Sequence, residues 1–149
     1  MELTKNFTLE ELTKSGYATE HGIDNTPNAE QIENLQLLAT NILQPLRDEL
    51  GLAVNIDSAF RCLAVNEAVG GVTDPLHISQ HTKGQAADII VPGMTPMEVI
   101  KKIVEMKLPF DQLIFEYGEW THVSFDKDRK RGQILSKTKG VAGYPPLQL

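Results

Sequence analysis

Ser79-Gln80-His81-Thr82-Lys83-Gly84-Gln85-Ala86-Ala87-Asp88 places an imidazole and a carboxylate seven residues apart. That interval matches neither the three-or-four spacing of one helix face nor the spacing of two on one strand face. A loop therefore has to bring His81 and Asp88 together. Gly84 supplies the turn between them. Ala86 to Val91 then reads as a short apolar strand that carries Asp88 on a rigid frame, while His81 reaches in from the loop before it. A third ligand is offered by His122, within Trp120 to Phe125. Two histidines and one aspartate, with water in the fourth position, match the ligand count of a catalytic zinc site. The expectation is one zinc ion held by His81, Asp88 and His122.

Upstream of this stretch, Thr8 and Glu11 have capping-box spacing, so Leu9 to Lys14 is expected as a short helix stopped at Gly16. Thr26-Pro27 opens the longest helix, in which Ile32, Leu35, Leu38, Ile42, Leu46 and Leu50 mark one buried face. Pro45 should kink it near Asn41, and Gly51 closes it. Ala53 to Asp57 reads as a strand that delivers Ser58-Ala59-Phe60-Arg61 at its end, and Leu63 to Val69 as a helix stopped at Gly70-Gly71.

Downstream, Thr95-Pro96-Met97-Glu98 caps a helix with Ile100, Ile103 and Val104 on its apolar face. Gln112 to Glu116 and Trp120 to Phe125 form an antiparallel hairpin around Tyr117-Gly118-Glu119. Gly132 to Ser136 is a candidate edge strand, and the tail from Lys137 is expected to be irregular. Alternation in the last hairpin strand puts Trp120, His122 and Ser124 on one face.

With 149 residues, 41% hydrophobic and 23% charged, the chain is sized for one domain over residues 1–149. A net charge of -6 argues against a nucleic-acid partner. The longest basic block, Lys127 to Arg131, is interrupted by Asp128 and reads as a solvated loop. Cys62 is the single cysteine, so no intramolecular disulfide forms, and a small buried residue is its expected role. His21 reads as a surface histidine, His77 as a solvated loop histidine with substrate contact as the alternative, and Lys83 as solvent-facing. Met1 to Asn6 has neither the charged start nor the apolar run of a signal peptide, and no segment nears the roughly 18 apolar residues of a membrane span. The expectation is a chain made in the cytoplasm, with no membrane partner.

The Ser-x-His-x-x-Gly-x-Ala-x-Asp run, the later Trp-x-His and the upstream Ser58-Ala59-Phe60-Arg61 resemble the D-Ala-D-Ala carboxypeptidase family of zinc peptidases, which shares its fold with the hedgehog signalling domain. The resemblance runs from about Asn6 to Ser136 and is nearest to the single-domain cell-wall peptidases of phages and bacteria. It implies an α+β fold, a small, mainly antiparallel sheet with helices packed on one side. It also implies a zinc peptidase that cuts peptidoglycan peptides as an endolysin-like endopeptidase. A D-alanyl-D-alanine carboxypeptidase and a non-catalytic zinc module like the hedgehog domain are the alternatives. By resemblance Glu119, three residues before His122, is the general acid/base, with Glu116 as the alternative.

Arg61 matches the family's arginine for substrate carboxylate or developing oxyanion, and Ser79 and Gln80 are candidate substrate contacts. The chain departs from the family's usual Ser-Gly-Tyr-Arg-Ser in having Phe60 and Cys62, and its loop before Ser79 is longer. Without a signal peptide, action at the wall implies release during lysis or carriage on a phage particle. A net charge of -6 with no wall-binding domain fits thin, Gram-negative-type walls better than anionic Gram-positive ones.

Overall fold

The computed structural model describes residues 1–149, and none of its helices is long and apolar enough to cross a membrane. The fold is α+β. A small hairpin of β1 (Glu2–Thr4) and β2 (Phe7–Thr8) leads into α1 (Leu9–Thr13), capped by the Thr8 hydroxyl, which accepts the Glu11 N–H at 3.1 Å. The expected stop at Gly16 is instead a start. Ser15 caps a second helix, α2 (Gly16–His21), which ends at Gly22 with φ +63°. Gly16 occupies the first helical position, where its missing side chain costs little. On α2, His21 stacks on Tyr17 at 3.9 Å on the exposed surface.

The long helical segment begins later than expected. Asn28, not Thr26-Pro27, caps α3 (Ala29–Leu38), in a reciprocal capping box with Gln31. The helix then widens into a π turn at Ala39–Leu43 before continuing as α4 (Gln44–Leu50). The expected disturbance near Asn41 takes this form for a physical reason. Pro45 has no N–H to give the Asn41 carbonyl and needs extra room in the preceding turn. The Asn41 amide in turn donates to the Leu37 carbonyl at 2.8 Å. Gly51, at φ +63°, ends α4 as expected.

The main sheet has the order β3 (Asn55–Ser58), β4 (Ala86–Ile90), β6 (Trp120–Ser124), β5 (Gln112–Glu116), β7 (Gln133–Lys137). Three pairings are antiparallel, and β7 joins β5 in parallel. Period-two alternation gives the sheet two different faces. Ala87, Ile89, Leu113 and Val123 join the core with Leu35, Leu38, Ile42 and Leu46 from the long helical segment. Val99, Ile100 and Ile103 of α6 (Pro96–Glu105) complete that layer, with the Thr95–Glu98 capping box as expected. Truncating any one of these buried leucines or isoleucines to alanine costs about 2–5 kcal/mol. The opposite face carries Asp88, His122, Ile114 and Glu116, the intervening residues of the same strands. Helix α5 (Leu63–Ala68) follows β3 as expected.

Between α5 and β4 the chain makes one 3-10 turn, Gln80–Lys83, and leaves it through Gly84 at φ +73°. A β-carbon at Gly84 would lie 2.5 Å from the backbone carbonyl of Gln31 in α3. The glycine of the opening stretch is thus required twice, by its dihedral and by this contact. Gly84→Ala is expected to cost roughly 2–5 kcal/mol, combining left-handed strain with overpacking. Gly140→Ala, at a similar positive φ (+78°) in open space, should cost only the strain. Urea midpoints compare the two, and equal losses would remove the contact from the explanation.

The tail is irregular in secondary structure but pinned. Ser136 N–H donates to the Pro145 carbonyl at 2.8 Å and Leu147 N–H to the Ile134 carbonyl at 3.0 Å, so residues 145–147 run beside β7.

Candidate metal centre

Cross-strand register builds the centre. Asp88 on β4 is directly opposite His122 on β6, which is opposite Ile114 on β5. His81 reaches the pair from the 3-10 turn. The ligand atoms of His81, Asp88 and His122 all lie within 4.8 Å of one another, and all three residues are buried. Asp88 Oδ1 is 3.3 Å from His81 Nε2 and 3.0 Å from His122 Nδ1.

The donor set fits a cation. His81 Nδ1 donates to the Ala59 carbonyl at 2.6 Å, which fixes the proton there and leaves Nε2 as a lone pair. That Nε2 is buried and has no hydrogen-bond partner. Burial lowers the His81 pKa despite the neighbouring Asp88 charge, so the imidazole is neutral. Burial also works against the Asp88 charge, but the hydrogen bond from the His122 ring at 3.0 Å counters it, and the carboxylate is held well below its ordinary pKa. A neutral imidazole lone pair facing a buried carboxylate is repulsive until a positive ion sits between them. Two imidazole nitrogens and a carboxylate suit zinc.

Four elements hold this cluster in place. Arg61 N–H donates to the His81 carbonyl at 3.1 Å. The residues on either side of Arg61 are tied down by Asn25, whose amide donates to the carbonyls of Thr13 and Phe60 and accepts the Cys62 N–H at 2.7 Å. Ser79 Oγ accepts the His81 N–H at 3.3 Å and so caps the ligand turn. Gln80 is buried, and its amide donates to Asp111 at 2.9 Å. Ser79 and Gln80 thus both hold the ligand loop, whatever contact they also make with substrate. Phe60 is in the core with its ring buried, so no hydroxyl is missing from the cleft at that position.

The cluster forms part of a cleft of about 700 Å³ whose lining crosses the whole sheet, from Asp57 and Ser58 on β3 to Leu135 on β7. Arg61 lines it, with a buried Nε that has no partner. Burial lowers its pKa, and Asp88, Glu116 and Tyr144 pull it back up. His77 is on the outer wall, exposed and paired with Asp74 at 3.0 Å. Cys62 is half-buried against the core, and Lys83 is exposed, although it lines the cleft.

The two candidate bases separate clearly. Glu119 sits in the turn after β5, its side chain 57% exposed, 3.6 Å from Lys139, and it does not line the cleft. Glu116 does line it, with its carboxylate 3.6 Å from His122 Nδ1 and its side chain only 16% exposed. The geometry therefore departs from the expectation of Glu119. Glu116 pairs with Trp120, two residues from His122 on the same sheet face, whereas Glu119 is out of phase with that face. Burial raises the Glu116 pKa, with His122 partly countering it.

Sequence reasoning missed three participants. Asn25 and Asp111 act through hydrogen bonds to segments far away in the chain, for which no local pattern exists. Tyr144 comes from the pinned tail, stacks under Lys137 at 5.2 Å and lines the cleft.

Fold and site together are those of an α+β protein with a buried His-Asp-His group that could hold a metal ion. A family model described as Peptidase M15 matches residues 5–124, and the chain belongs to that family of zinc-dependent peptidases. No curated protein matches the chain at a significant level.

Proposed function

We propose that this protein is a zinc peptidase that hydrolyses peptide bonds of bacterial peptidoglycan, acting as an endopeptidase. The observation that carries this reading is the His81–Asp88–His122 cluster with Glu116 beside it, within a cleft that continues past the cluster to both edges of the sheet. A substrate chain can then extend on both sides of the scissile bond. A carboxypeptidase instead needs a closed end beyond the terminal residue.

His81, Asp88 and His122 would hold the zinc, which supplies a Lewis acid that polarises a carbonyl and acidifies water. Glu116 takes the proton from the attacking water and returns it to the leaving amine. Its raised pKa brings it nearer the range where one group does both at neutral pH. Arg61, with a donor unpaired and buried at the cleft, holds the developing oxyanion or a nearby carboxylate. Ala59 keeps His81 in the tautomer that presents Nε2. The presence of Glu116 favours catalysis over a purely binding role like that of the hedgehog domain. We place the activity at the wall, after release from the cell or on a phage particle.

The test is mass analysis of purified peptidoglycan digested with and without a chelator. Internal cuts that the chelator abolishes support the reading. Release of D-alanine alone replaces it with the carboxypeptidase, and no product under any metal condition overturns it.

A further inference from the structure

The turn that follows β6 carries the basic block Lys127 to Arg131, and it lies beyond the residues matched by the family. It is not simply a solvated loop. Arg129 and Arg131 both line the metal cleft, and both face the same buried carboxylate. Asp111 is 0% exposed. Its Oδ1 accepts Arg131 Nε at 2.7 Å and the Arg131 N–H at 3.1 Å, and its Oδ2 accepts the second arm of Arg131 at 2.8 Å and Gln80 at 2.9 Å. These four bonds use the acceptor capacity of the carboxylate.

Arg129 is left over. Its guanidinium comes no closer than 3.5 Å to Asp111, which is its sole ion pair, and its side chain is 52% exposed. Asp126 and Asp128, on the same turn, make no ion pair with it and do not line the cleft. One carboxylate thus faces two guanidiniums, and the excess positive charge is at the cleft. The wider charge distribution agrees. The chain has 14 lysines and arginines against 20 acids, yet five of those cations line the cleft against three acids. A cleft with the opposite sign to its protein concentrates an anionic ligand.

We propose that Arg129 is a specificity-determining residue that binds a carboxylate of the peptide substrate, at a subsite distinct from Arg61. Arg131, spent on Asp111, is its support. The planar fork of Arg129 offers paired donors of the geometry that a carboxylate takes. The proposal rests on the peptidase reading and names its substrate class as an acidic peptide, recognised through a side-chain or branch carboxylate in addition to its main chain.

The test uses the zinc-loaded full chain and a series of peptidoglycan stem peptides in which one carboxylate at a time is replaced by a carboxamide. Turnover gives kcat/KM. Fluorescence of Trp120, the single tryptophan and a cleft residue, gives Kd independently. For one position, amidation should weaken binding to wild type by about tenfold, or about 1.4 kcal/mol. In Arg129→Gln that acid-to-amide ratio should fall to near one, with zinc content unchanged. Arg129→Lys should keep part of the ratio, because it keeps the charge and loses the fork. A full ratio in Arg129→Gln, or no position at which wild type distinguishes acid from amide, overturns the proposal while leaving the peptidase intact. Failure of wild type to bind or cut any of the peptides overturns both.

Discussion

Glu116→Gln is expected to retain its zinc and lose turnover by about 10²–10⁴-fold, the range removed with a general acid/base. Glu119→Gln is expected to stay within a few-fold of wild type. The amide keeps the shape of the carboxylate but cannot accept the proton. The contrast follows from position. Glu116 is on the face of the sheet that carries His122, 3.6 Å from its Nδ1, and burial raises its pKa. Glu119 is on the outside of the hairpin turn with Lys139 as its partner. The measurement is steady-state turnover on a peptidoglycan peptide, with metal analysis of each variant. Loss of activity in Glu119→Gln with Glu116→Gln near normal would reverse the assignment and require the turn to refold around substrate.

The second large effect concerns the ligands. Zinc at about a thousand times its dissociation constant stabilises a one-site protein by about 4 kcal/mol. In a chain of this size that corresponds to a rise in melting temperature of roughly 8–16 °C, at about 2–4 °C per kcal/mol. His81→Ala, Asp88→Ala and His122→Ala should show little of that rise at the same zinc concentration, and should copurify with little metal. Asp88→Ala is the most informative of the three. It removes the carboxylate that both histidines face, at 3.3 and 3.0 Å, so no pair of ligands remains bridged. Equal thermal shifts in wild type and Asp88→Ala would place the zinc elsewhere.

The supports of the centre explain why these ligands can be held so closely. His81 is fixed at three points: its ring by the Ala59 carbonyl, its N–H by Ser79 Oγ, and its carbonyl by the Arg61 N–H. Arg61 is consequently positioned by the same contact that positions the metal ligand. Gln80, next in the chain, carries the connection on to Asp111 and from there to Arg131. The ligand turn, the cleft arginine and the basic rim are therefore one hydrogen-bonded unit.

The sequence alone determined the elements whose signals are local. The Thr95–Glu98 capping box, the Gly51 stop, the hairpin strands and the disturbance ahead of Pro45 all depend on residues within one or two turns of each other. The three metal-site residues were legible for a related reason, because their side-chain chemistry restricts what a glycine-hinged loop and two strands can be for. The π turn in place of a kink, the second helix beginning at Gly16 and the later cap at Asn28 are local choices among competing caps. The choice of Glu116 over Glu119 was half visible, since alternation already put Glu119 out of phase with His122. Only the pairing of Glu116 with Trp120 brought the other carboxylate beside His122. The Asn25 ties, the Asp111 node, Arg129 at the cleft and Tyr144 returning from the tail were decided by tertiary structure alone. Their partners lie far apart in the chain, and periodicity within a segment carries no information about which distant segment it will meet.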